Sequence, residues 1–328
     1  MKDIKLRSSE TLALLLIAAA VIGAPFYGSR LSLYNLTIIG LFSIVVVSLN
    51  LLLGLAGQAS FAQTTFMAIG GYGMAIMTTR FGINPWAAIM ISLFLSVCLA
   101  LLIGKPLLRL RGHYLSMGTV ALALGTASFA NASSFTNGGW GITGIPSLAL
   151  GSFSFRDPVA SLALAWVLCG LCLLVYYLIG NSHIGRAWRA LSTRQDISAA
   201  LGIDVPHYKL LALVIAAIMA SLAGSLYTSY VHFVGPDYYD ITMIINLMFM
   251  LFVGGLRSTV GPIIGAGFVI LVPELVAGLE KLQNIVFFVL LLLVILIRPA
   301  GLFGRVRNER ILESLMPEWL LRRRGETG

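Results

Sequence analysis

The chain has 328 residues, of which 58% are hydrophobic and only 11% are charged. Soluble domains carry about 25% charged residues, so this composition excludes a soluble fold and predicts a multi-pass membrane protein. The net charge of +9 does not indicate a nucleic-acid partner, because the basic residues fall between the apolar segments. That distribution is the positive-inside pattern of a chain whose surroundings are membrane lipid.

Ten apolar segments are predicted in chain order, and all must be helices because lipid cannot satisfy bare backbone groups. The first, residues 11–27, follows a basic tail and is interpreted as uncleaved, since Pro25 follows Ala24 at the expected cleavage site. The next nine are 34–55, 60–79, 85–103, 114–129, 159–179, 208–230, 241–256, 261–277 and 285–297. The tenth is short for a full span of about 20 residues.

The charges predict an orientation. With both termini in the cytoplasm, 18 of the 22 Lys and Arg residues lie inside, and only Arg30, Arg80, Arg156 and Lys281 lie outside. We therefore expect an all-α polytopic bundle of about ten transmembrane segments, N-in and C-in. It comprises a cytoplasmic N-tail (1–10), a membrane domain (11–304) and a basic cytoplasmic C-tail (305–328). Losing the marginal third or tenth span would invert part of this topology.

A polar island at residues 185–203 interrupts the apolar pattern on the cytoplasmic side. Thr193 and Asp196 have the spacing of a capping box, and Gly202 stands where a left-handed residue would end the helix. The helix between them would have about eight residues, or ~12 Å. One apolar stripe is predicted on it, at Ile197, Ala200 and Leu201. Such a helix could fill a partner's groove or simply link two spans.

Uncharged polar side chains gather at the start of the third span. More of them occur there than helix packing needs, so they could line a wet path for a polar solute. Glu274 is the ionisable exception within the spans, and it either lines the path or reaches headgroup water. The residues predicted for the path are Asn50, Gln58, Ser60, Gln63, Asn246 and Glu274.

Motifs for catalysis or for an energy source are missing from the sequence. It has no G-x-x-x-x-G-K-[ST] motif for ATP and no cytoplasmic segment large enough for a catalytic domain. No cluster of His, Cys, Asp and Glu has metal spacing, and Cys169-x-x-Cys172 lies in an apolar span without polar neighbours. We expect no enzyme activity, no catalytic residue, no metal and no cofactor in this chain.

Six motifs in order resemble those of branched-chain amino-acid ABC transporter permeases. Two residues depart from the family pattern: Ala62 stands where glycine is frequent, and Arg257 with Ser258 replaces a pair of small residues. The motifs are G-Q-A-S-F-A-Q-T-T-F-M-A-I-G-G-Y (57–72), R-L-R-G-H-Y-L-S-M-G-T (109–119), T-N-G-G-W-G-I-T-G-I-P (136–146), the 185–203 island, G-G-L-R-S-T-V-G-P-I-I-G-A (254–266) and R-P-A-G-L-F-G (298–304). The chain is similar to the LivM-type subunit of this family.

This resemblance implies a transport subunit of the bacterial inner membrane that imports branched-chain amino acids. Its partners would be a LivH-like second permease, two ATPase subunits that bind ATP and Mg, and a periplasmic binding protein. The capped helix near Asp196 to Gly202 would couple to the ATPases. The coupling residues would be Arg186, Arg189, Arg194, Asp196, Ala199, Ala200 and Gly202.

Alternatives remain for the cargo and for the mechanism. Urea or short amides are handled by related permeases, and an ion-coupled carrier, a channel, or a membrane enzyme or scaffold are the other classes. The long loop at 131–158 has no helical period and is either a docking surface or a re-entrant gate. For its exposed part we expect docking of the binding protein, with Trp140 as the anchor.

Overall fold

The computed structural model describes residues 8–27, 29–108, 110, 112–150, 153–193, 195–275, 289, 292–293, 296 and 301–304. The predicted C-tail, most of the N-tail and nearly all of the tenth predicted span lie outside the described residues.

The described part of the chain is a bundle of helices with short connections. Several helices begin at a side-chain cap: Ser29 accepts a hydrogen bond from the Ser32 amide at 3.3 Å, and Asp204 accepts one from the His207 amide at 3.2 Å. The helices are α1 (Ser8–Tyr27), α2 (Arg30–Leu49), α3 (Gln63–Thr79), α4 (Pro85–Leu107), α5 (His113–Ala132), α6 (Pro158–Asn181), α7 (His183–Leu191), α8 (Gln195–Ala200), α9 (Val205–Val231), α10 (Ile241–Gly254) and α11 (Gly261–Leu275). A π-helix at Asn50–Leu55 continues α2.

The remaining regular structure consists of very short pieces between the helices. In the described part of the chain, three 3₁₀ turns occur at Ser134–Thr136, Gly138–Trp140 and Pro236–Tyr239. The same part of the chain forms four two-residue strands, β1 (Ile142–Thr143), β2 (Ala149–Leu150), β3 (Phe153–Ser154) and β4 (Phe233–Val234). β1 pairs antiparallel with β4, with Ile142 opposite Val234, and β2 pairs antiparallel with β3.

Five helical stretches are long and apolar enough to cross a membrane, among the described residues: 30–55, α4, α5, α6 and α9. Shorter apolar helices lie at Glu10–Pro25 within α1 and at α10 and α11. α3 has 17 residues and begins at Gln63, three residues later than the predicted third span, because residues 58–62 take up an irregular polar turn. The predicted all-α membrane class is confirmed, since the described strands are only two residues long.

The helices α2, α3 and α9 form the centre of the bundle, while α4, α5 and α6 keep broad exposed faces. The backbones of α3 and α9 approach each other so closely that side chains would not fit between them at two glycines. A Cβ on Gly70 would overlap the Ser221 carbonyl oxygen, and a Cβ on Gly224 would overlap the Met67 carbonyl oxygen. Small residues at a crossing let two backbones meet, and the Ser225 hydroxyl then donates to the Gly70 carbonyl at 2.9 Å.

The described loops sort alternately to two ends of the bundle. At the predicted outer end, β1 pairs with β4, and Arg80 donates to the Ser134 carbonyl at 3.3 Å. At the predicted cytoplasmic end, Ser116 donates to the Ala59 carbonyl at 3.0 Å. Leu302 at the same end donates its amide to the Val253 carbonyl at 2.8 Å. The membrane domain thus has one face built from residues 56–62, 182–204 and 255–260, and another built from 80–84, 133–157 and 232–240.

We expect Gly224→Val to destabilise the protein strongly. The added side chain would push α3 from α9, and overpacking of a tight contact costs about 1–3 kcal/mol or more. Thermal unfolding in detergent measures the effect. The matched control is Gly170→Val on the exposed face of α6, where a Cβ meets nothing within 4 Å. Equal unfolding temperatures for the two variants would contradict the close α3–α9 crossing.

Candidate functional site

The 182–204 segment at the predicted cytoplasmic end contains two helices instead of the one predicted. α7 begins where the Ser182 hydroxyl accepts a hydrogen bond from the Gly185 amide at 3.4 Å. Its Trp188 is fully buried, and the indole N–H donates to the Tyr208 carbonyl at 2.8 Å. The sequence carried a signal for α7, because Ile184, Trp188 and Leu191 have helical spacing.

The second helix, α8, covers Gln195–Ala200 and is shorter than predicted. Gly202 has a φ of +82°, so it is in the left-handed region predicted for it. The amide of Ile203 donates to the Ser198 carbonyl at 3.1 Å, and that of Gly202 donates to the Ala199 carbonyl at 3.0 Å. This pair of bonds is a Schellman motif. The Thr193 hydroxyl donates back to the Arg189 carbonyl at 3.0 Å, which ties α8 to α7.

The apolar stripe of α8 faces away from the rest of the chain. Ile197 is 52% exposed and Leu201 is 76% exposed, and Ala200 beside them is also exposed. Ala199 and Asp196 are exposed too. A rigidly capped helix that presents branched apolar side chains outside the spans has an apolar surface that a partner could cover.

The three arginines predicted for coupling have different surroundings. Arg186 is exposed, and one guanidinium nitrogen donates to the Asn181 carbonyl at 3.4 Å. Arg189 is only 7% exposed and donates to the Gly180 carbonyl at the end of α6. Its guanidinium therefore bonds a free carbonyl in the last turn of α6 and does not face a partner protein. Arg194 lies outside the described residues.

A cleft of about 820 Å³ opens beside the stripe. It is bounded by the end of α4, by α8 and by the start of α9, and both signs of charge line it. The basic residues are Lys105 and Lys209, and the acidic residues are Asp196 and Asp204. The cleft is lined by Gln195, Asp196 and Ala199, whereas the apolar stripe occupies the other side of α8.

Three of the predicted path residues are brought together in one buried polar strip at residues 58–65. Gln58 donates to the Lys209 carbonyl at 3.2 Å, and Gln63 donates to the Ser48 hydroxyl at 3.0 Å. The side-chain oxygens of Gln58 and Gln63 have no hydrogen-bond partner among the described residues. Ser60 lies between them and is buried as well. Unpaired buried carbonyl oxygens are costly, so they mark a place where a ligand or water could be accommodated.

The strip lies against α5. The Phe61 amide donates to the Thr119 hydroxyl at 3.0 Å, and the Thr126 hydroxyl donates to that of Thr65 at 3.3 Å. α5 is the least apolar of the five long helices and the least buried. A helix of this kind is poorly suited to face lipid on its own.

The other three predicted path residues lie elsewhere. Asn50 is fully buried, donates to the Ser258 carbonyl at 2.8 Å and accepts from the Arg257 amide at 2.9 Å, so both ends of its amide are occupied. Asn246 is half-buried on α10. Glu274 is exposed near the end of α11 and accepts a hydrogen bond from Asn35 on α2. None of the three joins the strip at residues 58–65.

The loop at 131–158 forms a cap over the predicted outer end. Trp140 is 89% exposed on this cap. Beneath it, Tyr239 is buried in the turn before α10, and burial raises the pKa of its phenol because the charged form would lose its hydration. His232, with a φ of +60°, bonds the Ile145 carbonyl through Nδ1 at 2.8 Å, which fastens the cap to α9.

Sequence reasoning missed the cluster around Arg257. This residue was noted only as a departure from a family motif, and its partners lie 65 to 207 residues away in the chain. No spacing rule could have assembled them. Within the described residues, no group of three or more His, Cys, Asp or Glu side chains could hold a metal ion.

The apolar helices and the alternating loops define a multi-pass helical membrane protein. The model of the family described as the branched-chain amino acid transport system, permease component, matches residues 31–295. The chain belongs to this family of ABC transporter permeases, which are transport subunits. The resemblance found in the sequence motifs is therefore confirmed.

Both permease types of this system are similar to the chain. It is 28% identical to the high-affinity branched-chain amino acid transport system permease protein LivM of Salmonella typhimurium, over 92% of this chain and 76% of the relative. Identity to the Escherichia coli LivM protein is 27% over the same shares. The LivH permease of Salmonella typhimurium is 26% identical over 82% of this chain and 93% of the relative. No solved structure gives a significant match.

Proposed function

We propose that this chain is the LivM-type permease of an ATP-driven importer that moves branched-chain amino acids across the bacterial inner membrane. The observation that carries the proposal is the exposed apolar stripe of α8, held on a capped helix outside the spans in a chain of this permease family. The chain has no P-loop, so the stripe is where energy from a separate subunit would enter.

The 182–204 segment would dock on one of the importer's two ATPase subunits, which bind ATP and Mg. Ile197 and Leu201 would fill an apolar groove, and the exposed Arg186 would add orientation and electrostatic matching at its rim. Asp196, Ala199 and Ala200 share the exposed surface of α8, and Gly202 fixes its end. Arg189 would act inside the segment, because it is buried against α6. This docking requires the 182–204 segment to lie in the cytoplasm.

The exposed face of α5 would meet the second, LivH-like permease. Ala121, Gly125 and Ser128 lie on this face, and a Cβ on Gly125 meets nothing within 4 Å. Small residues at this spacing let membrane helices approach closely. Because the strip at residues 58–65 packs on the other side of α5, the substrate path would run beside this contact. The buried amides of Gln58 and Gln63 would then be uncovered as the two permeases tilt.

Substrate would arrive from a periplasmic binding protein seated on the outer cap, with Trp140 as an anchor. A zwitterion needs an acceptor for its ammonium group and donors for its carboxylate, and glutamine amides and backbone groups supply both. The same groups would satisfy urea or a short amide, which is the second candidate cargo. Membership of the branched-chain family favours the amino acids.

The energy source separates this function from that of an ion-coupled carrier. Proteoliposomes that contain the chain, the second permease, the ATPases and the binding protein should accumulate labelled leucine only when ATP is supplied on the side of the ATPase subunits. Vesicles without the ATPase subunits should show background uptake. If vesicles without the ATPases took up leucine at the same rate as the complete complex, the protein would be an ion-coupled carrier and not an ATP-driven importer.

A further inference from the structure

Arg257, in the loop between α10 and α11, joins three separate parts of the cytoplasmic end. Its backbone N–H donates to the Asn50 side-chain oxygen at 2.9 Å. Its Nε donates to the Gly54 carbonyl at 2.6 Å, within the π-helix that continues α2. One terminal nitrogen donates to the Ser192 hydroxyl at 3.0 Å, at the end of α7. A planar guanidinium can hold two such acceptors in fixed directions, which a lysine ammonium cannot.

The loop that carries Arg257 is itself anchored on both sides. Asn50 donates to the Ser258 carbonyl at 2.8 Å, so its amide holds two successive residues of the loop. The Ser258 hydroxyl donates to the buried Glu10 carboxylate on α1 at 3.1 Å and accepts from the Gly261 amide at 3.0 Å. The loop is therefore continuous with the first turns of α1 and α11, and a force applied at Arg257 reaches both helices.

Ser192 is held in a direction that suits this bond. Its hydroxyl donates to the Arg189 carbonyl at 2.9 Å, which leaves a lone pair free to accept from Arg257. The backbone of the π-helix end lies against the same residue, since a Cβ on Gly57 would stand 2.6 Å from the Ser192 Cβ. The contact between the 182–204 segment and α2 thus has a steric part and a charged hydrogen bond.

The other hydrogen bonds that hold the 182–204 segment, among the described residues, lead to the helices next to it in the chain. Arg186 and Arg189 donate to carbonyls at the end of α6, and two further bonds lead to α9. Trp188 donates to the Tyr208 carbonyl at 2.8 Å, and the Lys209 ammonium donates to the Gln195 side chain at 2.9 Å. These bonds would move the segment and α9 together. The Arg257 bond differs because it crosses to helices that are remote in sequence.

We propose that Arg257 is the positioning residue that transmits movement of the 182–204 segment to α2 and to the α10–α11 loop. The inference rests on the proposed function, because it requires the segment to be the part that the ATPases move. The described hydrogen bonds of Arg257 lead to residues 50, 54 and 192 and not to the exposed stripe of α8. Removal of Arg257 should therefore uncouple hydrolysis from transport while the ATPase subunits remain bound.

Arg257→Gly is the informative variant. Arg257 has a φ of +62°, and glycine adopts this conformation without strain, so the substitution removes the guanidinium and keeps the loop. In the reconstituted complex we expect leucine transported per ATP hydrolysed to fall by at least roughly tenfold, because one hydrogen bond from a charged group typically contributes that factor and the variant loses two. Arg30→Ala, at the outer start of α2, is the charge-matched control and should keep the wild-type ratio.

A double-mutant cycle separates transmission from general damage. Ser192→Ala removes the acceptor at the end of α7, while the Arg189 carbonyl that Ser192 also bonds keeps its hydrogen bond from Thr193. Arg257→Lys keeps the charge but cannot hold both acceptors. We expect both to lower the transport-to-hydrolysis ratio, and Ser192→Ala to add nothing in the Arg257→Gly background. Purified complexes of these variants should contain the ATPases in wild-type amounts, and their unfolding temperatures should match that of the wild-type complex.

The outcomes are distinct. If the wild-type complex couples ATP hydrolysis to uptake and Arg257→Gly has the same ratio of leucine transported to ATP hydrolysed, this inference is wrong. The proposed function is then unaffected. Multiplicative loss in the double variant would also overturn this inference, since the two residues would then act independently. A wild-type complex without ATP-dependent uptake would instead overturn the proposed function, and this inference with it.

Discussion

Replacing Ile197 and Leu201 by glutamate is expected to abolish ATP hydrolysis stimulated by the loaded binding protein. Both side chains face water in the free chain, so the carboxylates should not disturb the fold. In a docked complex they would be buried without partners, and each unpaired buried charge costs several kcal/mol. The measurement is phosphate release by the reconstituted complex, together with the amount of ATPase that co-purifies.

The control keeps the stripe apolar. Ile197→Val with Leu201→Met changes shape but not polarity, and it should retain most of the stimulation. A second disruption, Ala200→Glu with Gly202→Pro, attacks the helix end, because proline is fixed near a φ of about −65° and Gly202 has a φ of +82°. Full stimulation in the glutamate variant, with the permease correctly inserted, would contradict docking through α8.

The second large effect is expected at Gly125 on α5. Nothing in the described chain lies within 4 Å of a Cβ at this position, so Gly125→Trp should fold normally. A large ring on this face would hold the second permease away, because close helix packing in membranes depends on small residues. We expect the two permeases to dissociate and transport to be lost. Size-exclusion chromatography of the co-expressed pair measures the assembly.

Gly170→Trp is the matched control for this variant. Gly170 also lies on an exposed helix face with nothing within 4 Å, but on α6. Its variant should assemble and transport like the wild type. Normal assembly of Gly125→Trp, or equal loss in both variants, would show that α5 does not form the contact between the permeases.

Local patterns in the sequence were sufficient for the helical membrane class and for the end of α8. Long apolar runs predicted the helical membrane class, and a glycine after a short amphipathic stretch predicted the left-handed residue Gly202. α7 was missed although Ile184, Trp188 and Leu191 had the right spacing. Because many polar residues lie between these three, residues 183–191 were interpreted as part of a loop.

Contacts between residues that are far apart in the chain could not be predicted from the sequence. Asn50 was interpreted as a path residue because polar side chains in spans are often functional, yet its amide is occupied by residues 207 and 208 positions away. Arg189 had the same charge as Arg186 and lay three residues from it, but it turns inward to the end of α6. Which side of a helix is covered depends on the tertiary packing, and one sequence does not contain that information.

The strip at residues 58–65 is an intermediate case. Its composition predicted a polar site, and the structure buries Gln58, Ser60 and Gln63 within the bundle. Its position behind α5, and the unpaired side-chain oxygens of the two glutamines, follow only from the packed helices.

The most direct test of the central claim is ATP-driven uptake of labelled leucine into proteoliposomes that contain the whole importer. Unlabelled leucine and urea would be the competitors. We expect uptake that requires ATP and the ATPase subunits, and that is blocked by unlabelled leucine but not by urea. ATP-dependent uptake of urea alone would show that urea is the cargo. Leucine uptake without the ATPases would contradict the proposed ATP-driven importer.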